Sequence, residues 1–229
     1  NVQANNATRE YADPDPTFTS TNTGFKLTDT ITDVVPDLSF TTTASLGSNV
    51  GTYTITPTGT PSDNYDVSFL NGALTVTKAP ISLFSLGTTH RTYGDANPSS
   101  YSVNVVGLKN GDTLAGGAIQ YFTSTTANQL SGVGNYAVNF DVVSSVNYDI
   151  PVGVRVPGTL TIDARPLTIT ADSFTREYGD ANPTLTATFD NLASFDTAAS
   201  AFPTMSITTP ATQSSNVLDY GINIFNANN

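Results

Sequence analysis

The feature that most constrains this chain is that one string of residues comes round three times. Thr8-Arg9-Glu10-Tyr11-Ala12-Asp13-Pro14-Asp15-Pro16 returns as His90-Arg91-Thr92-Tyr93-Gly94-Asp95-Ala96-Asn97-Pro98, and again as Thr175-Arg176-Glu177-Tyr178-Gly179-Asp180-Ala181-Asn182-Pro183. Ser48-Asn49-Val50-Gly51-Thr52-Tyr53 is answered by Ser131-Gly132-Val133-Gly134-Asn135-Tyr136 and by Ser215-Asn216-Val217-Leu218-Asp219-Tyr220. The block Lys26–Thr30 (KLTDT) matches Lys109–Thr113 (KNGDT), with Asp196-Thr197 in the third copy. Asn64-Tyr65-Asp66-Val67 pairs with Asn147-Tyr148-Asp149-Ile150, and Gly72–Thr77 (GALTVT) with Gly158–Asp163 (GTLTID). Blocks kept in one order at one step of roughly 83 residues are the signature of a tandem array, not of one large domain. The expected repeats are residues 1–78, 79–164 and 165–229.

The third copy stops before its second Asn-Tyr block and its Leu-Thr-Ile-Thr strand fall due. That predicts an incomplete bead with an unpaired sheet edge, or one that exchanges strands with a neighbouring chain.

Inside the repeat the pattern is one of strands. About one residue in six is Thr, and Val, Ile, Tyr and Phe are plentiful, which suits pleated, half-buried surfaces. Charged residues make up only 12 %, against the high charge of disordered chains. Period-two alternation places strands at Thr52–Thr58, Asp66–Phe69, Ala73–Thr77, Ser102–Val106, Asn135–Val142, Thr159–Asp163, Leu167–Ala171 and Leu185–Phe189. The Tyr-Gly-Asp-Ala-Asn-Pro blocks gather turn formers, and residues after each Asp-Thr pair, such as Phe195–Phe202, have room for one short helical turn. Each repeat is therefore expected to be a small, mainly-β domain. The junctions Thr77-Lys78-Ala79-Pro80-Ile81-Ser82 and Asp163-Ala164-Arg165-Pro166-Leu167-Thr168 carry no Gly/Ser linker. Proline's fixed φ and its restricted predecessor make such a step stiff, so the beads are expected to form an elongated rod.

A net charge of −11 with eight basic residues scattered along the chain argues against nucleic acid. Cysteine is absent, which removes disulfides and thiolate zinc sites. No apolar run approaches 18 residues, so no membrane insertion is expected. The chain begins at Asn1 without Met or a visible signal peptide and reads as an internal fragment.

These blocks resemble the MBG ("mostly β-grasp") family, tandem domains of large bacterial surface proteins. The resemblance is carried by Arg176-Glu177-Tyr178-Gly179-Asp180-Ala181-Asn182-Pro183, Ser131-Gly132-Val133-Gly134-Asn135-Tyr136, Asn147-Tyr148 and Ala164-Arg165-Pro166-Leu167-Thr168-Ile169-Thr170. It implies small β-grasp-like domains and a place in filamentous-haemagglutinin-like exoproteins exported by two-partner secretion. By the same resemblance the chain would be an extracellular adhesin of the cell surface or biofilm matrix. Repeat one departs from the pattern at Ala12, where Gly is expected, and repeat three at Leu218. The family brings no catalytic residues to transfer.

Candidate sites are few. Asp13, Asp15, Asp95 and Asp180 recur in equivalent turns near the repeat boundaries, and hard carboxylate oxygens suit calcium; the competing reading is that these side chains cap their own turns. No cofactor is required on either reading. Eight of the ten tyrosines (Tyr11, Tyr93, Tyr178, Tyr53, Tyr136, Tyr220, Tyr65 and Tyr148) recur in register, which points to packing with the hydroxyl bound by backbone. Tyr101 and Tyr121 lack equivalents and are the candidates for stacking on a glycan. His90 is the sole histidine and is Thr8 or Thr175 elsewhere, while Glu10 and Glu177, the only glutamates, lie in separate repeats beside Arg9 and Arg176. Neither supplies a general acid–base pair, so no enzyme is expected. The Thr-x-Thr run from Thr52 to Thr60 lacks the short period of an ice-binding face. Isopeptide cross-links would have to draw on Lys26, Lys78 or Lys109. The leading expectation is a stalk whose partners are its neighbouring repeats; the alternative is that the repeats themselves bind polysaccharide or a host or bacterial surface.

Overall fold

The computed structural model describes residues 1–227, so 228 and 229 of the third repeat lie outside it. Repeat one runs β1 (Val2–Ala4), β2 (Ala7–Glu10), β3 (Ser20–Asn22), the single helical turn α1 (Ile31–Val34), β4 (Ser39–Thr42), β5 (Gly51–Thr58), β6 (Phe69–Leu70) and β7 (Gly72–Thr77). Repeat two runs β8 (Ala79–Pro80), β9 (Leu83–Leu86), β10 (Thr88–Thr92), β11 (Val103–Val106), β12 (Gln120–Thr125), β13 (Gly134–Ser144), β14 (Tyr148–Asp149), β15 (Arg155–Val156) and β16 (Gly158–Asp163). Repeat three has β17 (Thr168–Ala171), β18 (Ala187–Asp190), the turn α2 (Ala198–Ala201), β19 (Ser206–Thr208) and β20 (Asn223–Phe225). The chain is mainly β.

Sheet order repeats with the sequence. Repeat one pairs β2-β7-β5-β4 and β3-β1-β6; repeat two pairs β10-β16-β13-β12 and β11-β9-β15. The central strand of the larger sheet is β7. It runs parallel to β2, with Ala7 opposite Leu74, and antiparallel to β5, with Tyr53 opposite Leu74. Its alternation explains why it sits there: Leu74 and Val76 are buried at 0 % and 1 % exposure while Thr75 between them faces out. Burying such side chains contributes about 1.5–3 kcal/mol each. Gly72 starts this strand because a Cβ there would lie 2.6 Å from the carbonyl oxygen of Ala4, and at the equivalent Gly158 it would lie 2.4 Å from that of Gly87.

Repeat three shows the other side of this rule. It forms the two-stranded sheets β17-β18 and β19-β20, and no counterpart of β7 occurs among its described residues. Without that strand, 174–177, which correspond to β2, carry no strand pairing.

Contacts divide the chain into two compact units: residues 1–87, 101–124 and 137–159, and residues 88–100, 125–136 and 160–229. In the first, Val2, Val34 and Val35 are packed by Phe25, Leu38 and Phe69, and Ala4, Ile55 and Leu74 by Phe18 and Phe40. A third cluster joins Tyr11, Val76, Ala79, Ile81, Phe84, Ile119, Tyr148 and Ile150. In the second unit Phe189 stacks on Phe202 at 6.1 Å, and Thr197 caps α2 by accepting from the Ser200 N–H.

One local expectation is corrected. Of Asp66–Phe69, only Phe69 joins a strand, in the pair Phe69–Leu70 bonded to Val2 and Gln3; Val67 reaches the core from irregular backbone. Glu10 forms its salt bridge with Lys109 and meets Arg9 only through its backbone carbonyl at 3.1 Å, because the side chains of strand neighbours point to opposite faces. Arg9 is held by Asp15 at 2.7 Å, whereas Glu10 binds Lys109.

Candidate functional site at the repeat joints

Each repeated Tyr-x-Asp turn carries a residue of positive φ at its centre: Ala12 at 62°, Gly94 at 86° and Gly179 at 91°. The left-handed corner follows β2 or β10 and throws the preceding tyrosine off the end of the sheet. In the first joint Tyr11 donates its backbone N–H to Thr77 (2.8 Å), which fixes the ring against the chain's exit from the repeat. Its hydroxyl donates to Asp112 Oδ2 at 3.0 Å, and its ring meets Tyr148 edge to face at 5.6 Å. Tyr148 donates to the same carboxylate oxygen at 2.8 Å and accepts the Lys109 N–H at 2.9 Å. Burial, helped by the Asp112 carboxylate and opposed by the backbone bond to Lys109, pushes the Tyr148 phenol up to about 12. Lys109 reaches back to Asp13 (2.6 Å) and Glu10 (3.2 Å), and the Asp13 hydrogen bond leads in raising its pKa.

The Pro step forms part of this joint. Ala79 and Ile81 donate to the carbonyls of Asn147 and Asp149, each at 2.9 Å, so Pro80 occupies the strand position whose missing N–H has no ladder bond to make. Asn147 adds a side-chain clasp, donating to Asn49 Oδ1 (2.9 Å) and accepting the Val50 N–H (3.1 Å).

The second joint uses the same plan with a different cation. Tyr93 donates its N–H to Asp163 (2.8 Å) and its hydroxyl to Asp196 (3.4 Å), with the ring edge-on to Phe195 at 5.7 Å. Burial, then Asp196, raises the Tyr93 pKa. Here Arg165, from the Pro step itself, donates to the Tyr93 carbonyl (2.7 Å), to Asn191 (2.9 Å) and to Asp95. In both joints, therefore, the Tyr-x-Asp turn of one repeat grips the Asp-Thr loop of the next.

Three of the four aspartates singled out as calcium candidates hold cationic side chains: Asp13 with Lys109, Asp15 with Arg9 and Asp95 with Arg165. Asp180 engages through its backbone, its N–H on Glu177 and its carbonyl under Arg176. Among the described residues no three His, Cys, Asp or Glu side chains gather as a metal-ligand group. Tyr121 lies edge-on to Phe84 (5.6 Å) and Phe140 (6.0 Å) within the core of the first unit, and Tyr101 is half-buried before β11. Tyr53, Tyr136 and Tyr220 each donate to a backbone carbonyl four residues upstream, of Asn49, Gly132 and Asn216. His90 faces Asp163 at 3.1 Å, with both side chains more than half exposed.

The residues missed by sequence reasoning are the acceptors. Asp112 and Asp196 stand in a visible recurring block, and that recurrence was the only available signal; nothing in their spacing says that a tyrosine about 100 residues upstream reaches them.

The model of the MBG domain (YGX type) matches residues 1–75, 85–161 and 167–229. The chain belongs to the MBG family. The Tyr93-Gly94-Asp95 turn, and the Tyr-Ala-Asp turn of repeat one, are the turns that build the two joints. No curated protein matches this MBG array. No helix among the described residues is long and apolar enough to cross a membrane.

Proposed function

We propose that this MBG array is a non-catalytic spacer in a bacterial surface adhesin, carrying a distal binding region away from the cell surface or within a biofilm matrix. One observation carries the reading: at both joints the recurring polar side chains are consumed in binding the next repeat, tyrosine to aspartate and carboxylate to Lys109 or Arg165. A residue that recurs in each bead and is spent on the next bead is part of the connection. Neighbouring repeats are the partners this chemistry serves, with Lys109 and Arg165 supplying the counter-charge to the turn aspartates Asp13 and Asp95.

The test is small-angle scattering and NMR relaxation on the 229-residue chain and on a Tyr11→Ala, Lys109→Ala variant. A rod-like particle whose repeats reorient together, loosened in the variant, supports the spacer. A collapsed particle, or repeats that already reorient independently in the wild type, overturns it. Saturable hits on a glycan array, lost when Tyr101 or Tyr121 is changed, would favour polysaccharide binding instead. Export is checked by protease accessibility of the parent protein on intact cells.

A further inference from the structure

Asn-Gly occurs twice in this sequence, at Asn71-Gly72 and at Asn110-Gly111. The step is chemically labile because glycine has no Cβ to shield its backbone nitrogen, which can attack the side-chain carbonyl of the asparagine before it. The fold treats the two steps differently. Gly72 stands opposite Ile55 in the antiparallel ladder of β5 and β7. The carbonyl oxygens of Ala4 and Asn5 lie 2.6 Å and 2.9 Å from where its Cβ would be. Its nitrogen is held in a sheet and cannot turn.

Asn110 and Gly111 lie at φ 56° and 73°, and the Asp112 N–H donates across them to the Lys109 carbonyl at 3.0 Å. That is the primed turn for which Asn-Gly is the favoured central pair. Both residues are exposed, and no atom lies within 4 Å of a Cβ built on Gly111. The turn's own bond does not use the Gly111 N–H, and among the described residues that N–H makes no other hydrogen bond. The Asn110 side chain is tied by a single 3.3 Å bond, from Nδ2 to the Tyr11 hydroxyl.

We propose that Asn110-Gly111 is a site of spontaneous deamidation, and that the first repeat joint loosens when it reacts. The Gly111 nitrogen gives up its proton and bonds to Asn110 Cγ. The Cγ–Nδ2 bond breaks, and Nδ2 leaves as ammonia. Water then opens the five-membered imide at either carbonyl, leaving an aspartyl or an isoaspartyl residue at position 110. Both products disturb one network. Asn110 Nδ2 donates to the Tyr11 hydroxyl, which itself donates to Asp112 Oδ2 at 3.0 Å. A carboxylate in place of that amide has no proton to offer and sets a second negative charge near Asp112. The isoaspartyl form also lengthens the main chain by one carbon. That carbon falls between the Lys109 backbone groups that Tyr148 binds and the Asp112 carboxylate that both tyrosines share. The second joint has Ser194-Phe195 at the equivalent place and lacks this chemistry. The effect is confined to one joint, and it stands whether or not the array serves as a spacer.

The test ages the full 229-residue chain in warm, mildly alkaline buffer and follows its digests by mass spectrometry, with an isoaspartyl-specific methyltransferase label. Conversion should be at least about tenfold faster at position 110 than at position 71, where the nitrogen must first leave a ladder. Ion exchange then separates the converted chain. Its amide exchange at Lys109 and Asp112 should quicken at least about tenfold, while that at Tyr93 and Asp196, in the second joint, stays as it was. A peptide of residues 107–113 aged in parallel shows that the buffer drives the reaction. No conversion at position 110 while that peptide reacts overturns the proposal, as do equal rates at 110 and 71. Conversion that leaves exchange at Lys109 and Asp112 unchanged overturns the loosening.

Discussion

Replacing Tyr148 by Phe removes one oxygen and keeps the ring. The lost hydroxyl donates to the Asp112 carboxylate at 2.8 Å and accepts the Lys109 N–H at 2.9 Å. A hydrogen bond to a charged group is worth about 1.5–3 kcal/mol net, and stranding a backbone donor adds to the loss, so about 3 kcal/mol is expected at neutral pH. Proton linkage sets how much stability is lost when that phenol ionises. The phenol titrates at 10.0 when free and at about 12 in the fold, and two pKa units are about 2.7 kcal/mol. Between those values the folded chain holds a proton that the unfolded chain has released. The stabilisation is therefore complete below pH 10 and is lost as the pH climbs through about 12. Lys109, Tyr65 and Tyr93, whose pKa values are also raised, weaken the fold in the same alkaline direction. They do so in wild type and variant alike, and so cancel in the difference. The assay is urea unfolding from pH 7 to 12, followed through the amide resonances of Lys109 and Asp112 so that the transition read belongs to this joint. The gap between wild type and Tyr148→Phe should shrink from about 3 kcal/mol to nearly nothing. A gap below about 0.5 kcal/mol at pH 7, or one that stays constant up to pH 12, would refute the reasoning.

Arg91→Lys should cost about 2–4 kcal/mol, because a buried fork bonded to Asn97, Thr92 and Asn128 becomes a single point charge; a thermal melt beside Arg176→Lys, which acts in the open repeat, should show the smaller loss there. Ala12→Gly should stabilise repeat one by about 0.5–1 kcal/mol by relieving a left-handed alanine, less the added chain entropy, and an unchanged or lowered midpoint would show that the corner is not strained. Melts in calcium and in EDTA should agree within about one degree if lysine and arginine do the work of an ion at the joints; a clear upward shift with calcium would return Asp13, Asp15, Asp95 and Asp180 to metal chemistry.

Elements that bury a side chain at every second position could be read from the residues alone. The β5, β7 and β16 strands alternate Thr with Tyr, Leu, Ile or Val, β13 alternates Asn and Asp with Tyr, Val and Phe, and their boundaries fell within a residue or two of expectation. The β2 and β10 strands were invisible. Ala7–Glu10 is mostly polar, and it becomes a strand only because Gly72–Thr77, far along the chain, lies down beside it. Repeat three bears this out, since 174–177 keep a related sequence and stay unpaired. Pro80 read as a stiff step; that its neighbours form a strand with Tyr148–Asp149 depends on a partner some 70 residues away. The joint was half legible for the same reason. Recurrence marked Tyr11, Asp13 and Asp112 as parts of the bead, but the choice of Lys109 in one joint and Arg165 in the other is a matter of three-dimensional reach.

The parallel pairing of β2 with β7 has a mechanical meaning. The strand near the start of repeat one and the strand that ends it lie side by side and point the same way, in four consecutive register pairs. Tension drawn through the two ends of that repeat slides one strand along the other, so the bonds between them are loaded together instead of being peeled one at a time. Survival under load is then governed by the rate of that concerted rupture.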